Sequence, residues 1–138
     1  HLAADPVSYT IENGKKISII TDIGYGCDNV TENVADSDVL FLESNHDVKM
    51  LETGPYPYFL KKWITGNRGH LSNLQSGLLI LEHAPSKLKH LVLSHLSQTN
   101  NRPEIAMQTV SELVRERSDL KPKISLSLRD RTSELLRI

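Results

Sequence analysis

Apolar residues in this chain come in short runs separated by polar stretches that carry glycine and proline. Val7 to Ile11 and Lys16 to Thr21 are β-branched runs on either side of Glu12-Asn13-Gly14-Lys15. An Asn-Gly pair between two such runs predicts a hairpin. After a loop containing Asp22, Gly24 and Gly26, Asp28 or Asn29 is placed to cap a short helix across Val30 to Val34. Val39 to Glu43 is a compact apolar run ending in polar residues, the pattern of a buried parallel strand. A helical turn or two follows over Asp47 to Glu52, then a break at Gly54-Pro55-Tyr56-Pro57 and a helix from Tyr58 to Ile64. Leu71, Leu74, Leu78 and Leu81 recur at helical spacing until Pro85 ends the run. Leu88 to Ser94 reads as a further strand. Pro103 opens a helix with Ala106, Val110, Leu113 and Val114 on one face, and Lys123 to Leu128 is a last strand. This alternation of strands and helices predicts an α/β layer architecture.

Composition changes this picture only by exclusion. With 138 residues the chain holds one domain at most, and a chain of this size buries roughly two-thirds of its unfolded surface without disulfide staples. Its 38% hydrophobic and 24% charged residues are those of a globular protein. No apolar run approaches the roughly 20 residues that span a bilayer, so no membrane role is expected. The single Cys27 cannot form an internal disulfide, which fits a cytoplasmic location. A net charge of -1 provides no global basic field, so nucleic-acid binding would depend on a local patch or on an active site.

Three polar motifs stand just after predicted strands: Thr21-Asp22-Ile23-Gly24, Glu43-Ser44-Asn45-His46-Asp47 and Ser94-His95-Leu96-Ser97. In α/β sheets, ligands bind outside the carboxyl ends of the strands, where loops converge on rigid supports. If these strands are neighbours, Asp22, Glu43 and His95 converge. Gly69-His70-Leu71-Ser72-Asn73 adds a His and a Ser at a helix start. Imidazole and carboxylate groups together suit metal or acid–base chemistry. A strand-end His that is a structural donor, and a strand-end Asp that caps a helix, are the plainer readings of the same residues.

The series His1 with Val7-Ser8-Tyr9, Thr21-Asp22, Glu43, Gly69-His70-Leu71-Ser72 and Ser94-His95-Leu96-Ser97 resembles the second half of the metallo-β-lactamase fold. It is most similar to the nuclease and phosphodiesterase branches that include tRNase Z. The stretches LESNHDVKML, GNRGHLSN and LSHLSQTNN look closer still to the bacterial YycJ/WalJ-like group, cytoplasmic exonuclease-type enzymes acting on DNA. The resemblance implies an α/β fold in which residues 1–138 form the C-terminal half of an αββα sandwich. It also implies that His1, Asp22 and His95 are metal ligands, with Asp22 the carboxylate between two ions. Glu43 matches the Glu of the HEAT motif, although Leu42 stands where that motif has His, and His70 matches the His of the HST motif. In those relatives the Glu and His form a pair in which the His protonates the leaving oxygen. Zn²⁺ is the implied ion, two per full-length protein, with Mn²⁺ the alternative. The family's His-x-His-x-Asp-His cluster is absent from the chain. The sequence therefore reads as a carboxy-terminal portion of a larger domain, with little activity expected of it alone.

The expected function is metal-dependent phosphodiester hydrolysis with a nucleic acid, DNA before RNA, as substrate. A small-molecule phosphodiesterase or thioester hydrolase on the same fold is one alternative, and a non-catalytic α/β interaction domain is another. His46 is expected at a solvated helix start with Asp47 as N-cap, while His83 and His90 read as surface or helix-end residues. Cys27 is expected to be a buried or inert thiol. Lys61, Lys62 and Arg68 are candidate phosphate contacts or a solvated face. Tyr56, Tyr58 and Trp63 either form a stacking platform for bases or pack under a loop. Asn100 and Asn101 either orient groups behind the site or make a turn.

Overall fold

The computed structural model describes residues 7–138. The Asn-Gly signal is realised as a hairpin of β1 (Tyr9–Glu12) and β2 (Lys16–Ile20), with Gly14 in the left-handed conformation at φ 67°. β3 (Val39–Glu43), β4 (His90–Ser94) and β5 (Lys123–Leu126) extend β2 in parallel, each strand beside the one before it in sequence. Parallel neighbours need crossover helices. These are α1 (Asp28–Ala35), then α2 (Val48–Thr53), α3 (Tyr58–Ile64) and α4 (Asn73–His83), and finally α5 (Pro103–Val114).

Because the strands advance in one direction across the sheet, right-handed crossovers place the principal helices on one face. The core shows this arrangement: Ile20, Leu40, Leu42, Leu91 and Leu93 from the strands pack with Val30 and Val34 of α1, Ile80 of α4, and Ala106 and Val110 of α5. On the other face of the sheet, Tyr9, Ile11 and Ile19 stay 62%, 57% and 37% exposed. The segment after β5 crosses part of that face, where Lys123 Nζ meets Glu134 Oε2 at 2.8 Å and the His90 ring meets the Arg137 carbonyl at 3.1 Å. The α/β expectation is met, and one helical layer over one sheet is the arrangement of a partial α/β sandwich. Among the described residues, no helix is long and apolar enough to cross a membrane.

Local details depart from the sequence reading in two helices. Cys27, not Asp28 or Asn29, is the N-cap of α1 and makes no side-chain cap bond; both polar residues lie inside the first turn. In α4 the leucine spacing marks the wrong face. Leu74 and Leu78 are exposed, while Ser76, Gly77 and Ile80 face inward. The close approach of α5 explains this, because a Cβ on Gly77 would run into the Leu113 side chain. The helix is phased by its start, where Ser72 and Gln75 form a reciprocal capping box.

Leu91 and Leu93 are fully buried at the centre of the sheet, each contributing about 1.5–3 kcal/mol by burial. Leu91→Ala is expected to lower stability by about 2–5 kcal/mol, because two close-packed layers cannot collapse into the gap. A urea titration showing a loss below about 1 kcal/mol would contradict this packing.

Candidate metal centre at the carboxyl ends of the strands

Asp22 follows β2, Glu43 ends β3 and His95 follows β4, so the parallel register brings all three to one edge of the sheet. His70 arrives from the segment between α3 and α4. That segment is laid against the chain beyond β3 by hydrogen bonds from Asn45 N–H to the Leu71 carbonyl and from Asn73 N–H to the His46 carbonyl, at 2.9 and 2.8 Å. Gly69 is needed for this course, since a Cβ there would run into the carbonyl oxygens of Trp63 and Ile64.

Glu43 is at the centre. Its side chain has no exposed surface, and its Oε1 accepts from both His70 Nδ1 and His95 Nδ1 at 2.7 Å each, while Oε2 accepts from the Ile23 N–H at 2.9 Å. A carboxylate only accepts, so both imidazoles carry hydrogen on Nδ1 and, when neutral, present a bare Nε2 on the opposite side. Burial pushes the Glu43 carboxyl up, but the His70 and His95 hydrogen bonds, the His70 charge and the Ile23 N–H outweigh it, and the net shift is downward. His95 is raised, first by its hydrogen bond to Glu43, against partial burial and the opposing charge of Arg129.

On the outer side of the imidazoles, donor atoms of Asp22, His70 and His95 lie within 4.8 Å of one another, and His95 Nε2 stands 3.8 Å from Asp22 Oδ1. Two imidazoles and a carboxylate at this spacing are a suitable donor set for Zn²⁺, and a carboxylate holding the far nitrogen of each His is the usual support of a metal-binding imidazole. His1, the remaining candidate ligand, lies outside the described residues.

Asp22 and His95 both sit in the left-handed region, at φ 58° and 57°. For residues other than glycine this costs on the order of 1–3 kcal/mol each, and it persists only where the surroundings enforce it. At His95 the enforcement is visible. Asn45 Nδ2 donates to the His95 carbonyl at 2.9 Å, and the Asn45 carbonyl accepts from Ser97 N–H at 2.8 Å, bracketing the residue. Asn45 is itself held by Asn101, whose Nδ2 lies 2.9–3.0 Å from the Ser44 and Asn45 carbonyls and 2.9 Å from Asn73 Oδ1. Ser76 Oγ donates to the Glu43 carbonyl. Of the two readings of Asn101, orientation behind the site is the one realised.

His46 departs from expectation. It is 1% exposed, not at a solvated helix start, and its Nδ1 has no hydrogen-bond partner. Burial, and then the neighbouring His70 charge, push its pKa down to about 4, so it is a neutral core residue at pH 7. Asp47 is the N-cap of α2, accepting from Met50 N–H at 2.8 Å. Lys61 Nζ is occupied by the Glu52 and Gly54 carbonyls, and Lys62 sits 5.6 Å from the centre of the Tyr58 ring. Cys27 is half-buried against the core, as expected. Trp63 meets His70 edge-on at 5.8 Å.

Two cavities flank the cluster. One of about 430 Å³ opens beside Asp22 and is lined by Tyr25, Cys27, Asn29 and Asn67. The other, of about 570 Å³, opens beside His95 and is lined by Ser97, Gln98 and Arg129.

No family model matches the chain. It is 36% identical over 118 residues to a Bacillus anthracis protein named exodeoxyribonuclease YycJ, a match covering 85% of the chain and 45% of that relative. Over 111 residues it is 34% identical to Streptococcus pneumoniae proteins named exodeoxyribonuclease WalJ, covering 80% of the chain and 41% of those relatives. The chain thus spans less than half the length of these relatives. The similarity to the YycJ/WalJ group that the motifs implied is borne out.

Two outcomes follow from this geometry. Asn45→Ala removes one side of the bracket on His95 and is expected to cost about 1–3 kcal/mol, since it leaves a carbonyl without its donor. The His95 ring ¹⁵N signals should shift with it; unchanged signals would show that another contact sets His95. The second outcome concerns pH. With a folded pKa of about 4 against 6.5 unfolded, His46 makes the unfolded chain bind more protons between those values. Stability therefore falls as pH drops from 6.5 toward 4, by on the order of 3 kcal/mol at most. The raised His95 acts oppositely: its contribution is complete below about 6.5 and is lost as pH rises through its folded value. Glu43, being lowered, loses its contribution only in more acid solution, as pH falls through its folded value. Urea midpoints should decline between pH 6.5 and 4.5 in the parent and flatten in His46→Leu.

Proposed function

We propose that this chain, related over most of its length to the YycJ and WalJ exodeoxyribonucleases, forms part of the active site of a metal-dependent phosphodiesterase that degrades DNA. The observation that carries the reading is the cluster of Asp22, His70 and His95 donor atoms within 4.8 Å, backed by one buried carboxylate. Asp22 and His95 would hold metal, Zn²⁺ by the character of the donors and Mn²⁺ as the alternative. When bound, such ions polarise the phosphoryl oxygen and stabilise the charge that develops in the transition state. In the full-length protein a second sheet would stack on the exposed Tyr9, Ile11 and Ile19 face, completing the αββα sandwich and bringing the other ligands.

The remaining chemistry belongs to this chain. Cleaving a phosphodiester leaves an alkoxide that needs a proton, and His70 would give one from Nε2, the nitrogen not bonded to Glu43. Glu43 stays ionised throughout, holding Nδ1–H at 2.7 Å and stabilising the imidazolium before transfer. Trp63, edge-on to the His70 ring, restricts its rotation. The choice of DNA rests on the names of the relatives. With a net charge of -1, strand binding must come from local cations such as Arg68 and Arg129 rather than from a global field.

A second reading is favoured by one observation. The His70 donor atom lies in the same cluster as those of Asp22 and His95, which makes His70 a candidate ligand as well.

Variants of the full-length protein separate these assignments. Asp22→Asn and His95→Ala are expected to lose bound metal, measured by mass spectrometry, together with hydrolysis of an end-labelled oligonucleotide. His70→Ala should keep its metal and lose about 10²–10⁴-fold in kcat. Metal lost in His70→Ala would make His70 a ligand. Undiminished hydrolysis by Asp22→Asn would overturn the catalytic reading and leave an interaction domain.

A further inference from the structure

The aromatic residues of α3 are arranged in a way the core does not require. Tyr58 and Phe59 are 73% and 74% exposed, unusual for rings on a helix that has an interior to face. Phe59 and Trp63 are four residues apart, so they lie one above the other on the same side of the helix. Trp63 in turn touches His70 edge-on, with ring centres 5.8 Å apart. Exposed Phe59 and half-buried Trp63 therefore share one side of α3, with Trp63 next to the proposed proton donor. Cations accompany it: Lys62 stands 5.6 Å from the Tyr58 ring centre, and Arg68, exposed, lies two residues before His70.

We infer that α3 is a stacking platform for the unpaired bases of a DNA strand, with Phe59 and Trp63 each receiving one base next to the scissile phosphate. This inference rests on the phosphodiesterase reading and adds to it the form of the substrate: a single-stranded end, since paired bases cannot offer their faces to a helix. Two features single out this occupant over a protein partner. The Trp63 ring touches the cluster that would cut the strand, and the cations beside it match a backbone that carries one negative charge per nucleotide. Base stacking on an aromatic ring contributes roughly 5- to 100-fold in affinity per base and tolerates any sequence. The platform would thus accept every sequence while distinguishing bases from bare backbone.

Trp63 is the only tryptophan of the chain, so its emission reports directly on this surface. The probes are a thymidine decamer and an abasic decamer of equal length and charge, added to the full-length protein with metal withheld by chelation so that neither is cut. The Trp63 signal is taken as the difference from Trp63→Phe. The thymidine strand should quench Trp63 and the abasic strand should not. Phe59→Ala should weaken decamer binding roughly 5- to 100-fold and raise KM for hydrolysis with kcat unchanged. Phe59→Tyr should restore binding, whereas Phe59→Leu should not. Because Phe59 is exposed, none of its substitutions threatens the fold. Equal binding of the two probes, or a Phe59→Leu variant as good as Phe59→Tyr, would overturn the platform. Base-dependent quenching without hydrolysis in the metal-loaded protein would spare the platform and refute the phosphodiesterase; hydrolysis with base-independent binding would do the reverse.

Discussion

A carboxylate with no exposed surface needs donors on both oxygens, and Glu43 finds three: two imidazoles on one oxygen and a backbone N–H on the other. Removing any one would strand part of a buried charge, a loss of several kcal/mol where no water can enter. An ionised carboxylate suits this arrangement, because both of its oxygens accept and each faces a donor. Each donor is also a positioning contact. The Ile23 N–H fixes the residue beside Asp22, and the imidazole bonds fix the tautomer and direction of His70 and His95. Three segments from different parts of the chain thereby take their places from a single side chain at the end of β3.

The backbone around this carboxylate is held to conformations it would not choose. Asp22 and His95 have positive φ on the turns either side of the end of β3, and the Asn45 bracket at His95 shows what keeps one of them there. Behind it, Asn101 donates to the carbonyls of Ser44 and Asn45 and exchanges amide hydrogen bonds with Asn73, so the site residues are supported by a buried layer of amides. Such fully satisfied polar networks make a site rigid without help from apolar packing.

The strands were legible because a parallel sheet writes itself as short unbroken apolar runs, and the residues just beyond Ile20, Leu42 and Ser94 meet because the sheet places those strands side by side. What escaped the sequence was set by approach and depth. Leu74 and Leu78 have the right period for a buried face, yet the narrow gap to α5 gives that place to Ser76 and Gly77. His46 looked like a helix-start residue because Asp47 beside it is one, but the pairing of its segment with Ser72 turns the ring inward. Asn45 carried no spacing signal, and Asn101 could be read equally as a turn residue: each acts through an amide aimed at a carbonyl distant in sequence, which periodicity does not record. The contact between Trp63 and His70 depends on the turn that Gly69 permits, and the glycine was visible while its consequence was not.

The strand order has a further consequence for how the sheet can be assembled. Every strand pairs with its predecessor, so a chain made from its amino end never has to wait for a partner not yet synthesised. Asp22, Glu43, His70 and His95 all precede α5, and the gathering of these four side chains at one end of the sheet needs only β4 to dock on β3. What comes later, α5 and β5, seals a layer already laid down. Vectorial synthesis and the geometry of the site thus run in the same direction along this chain.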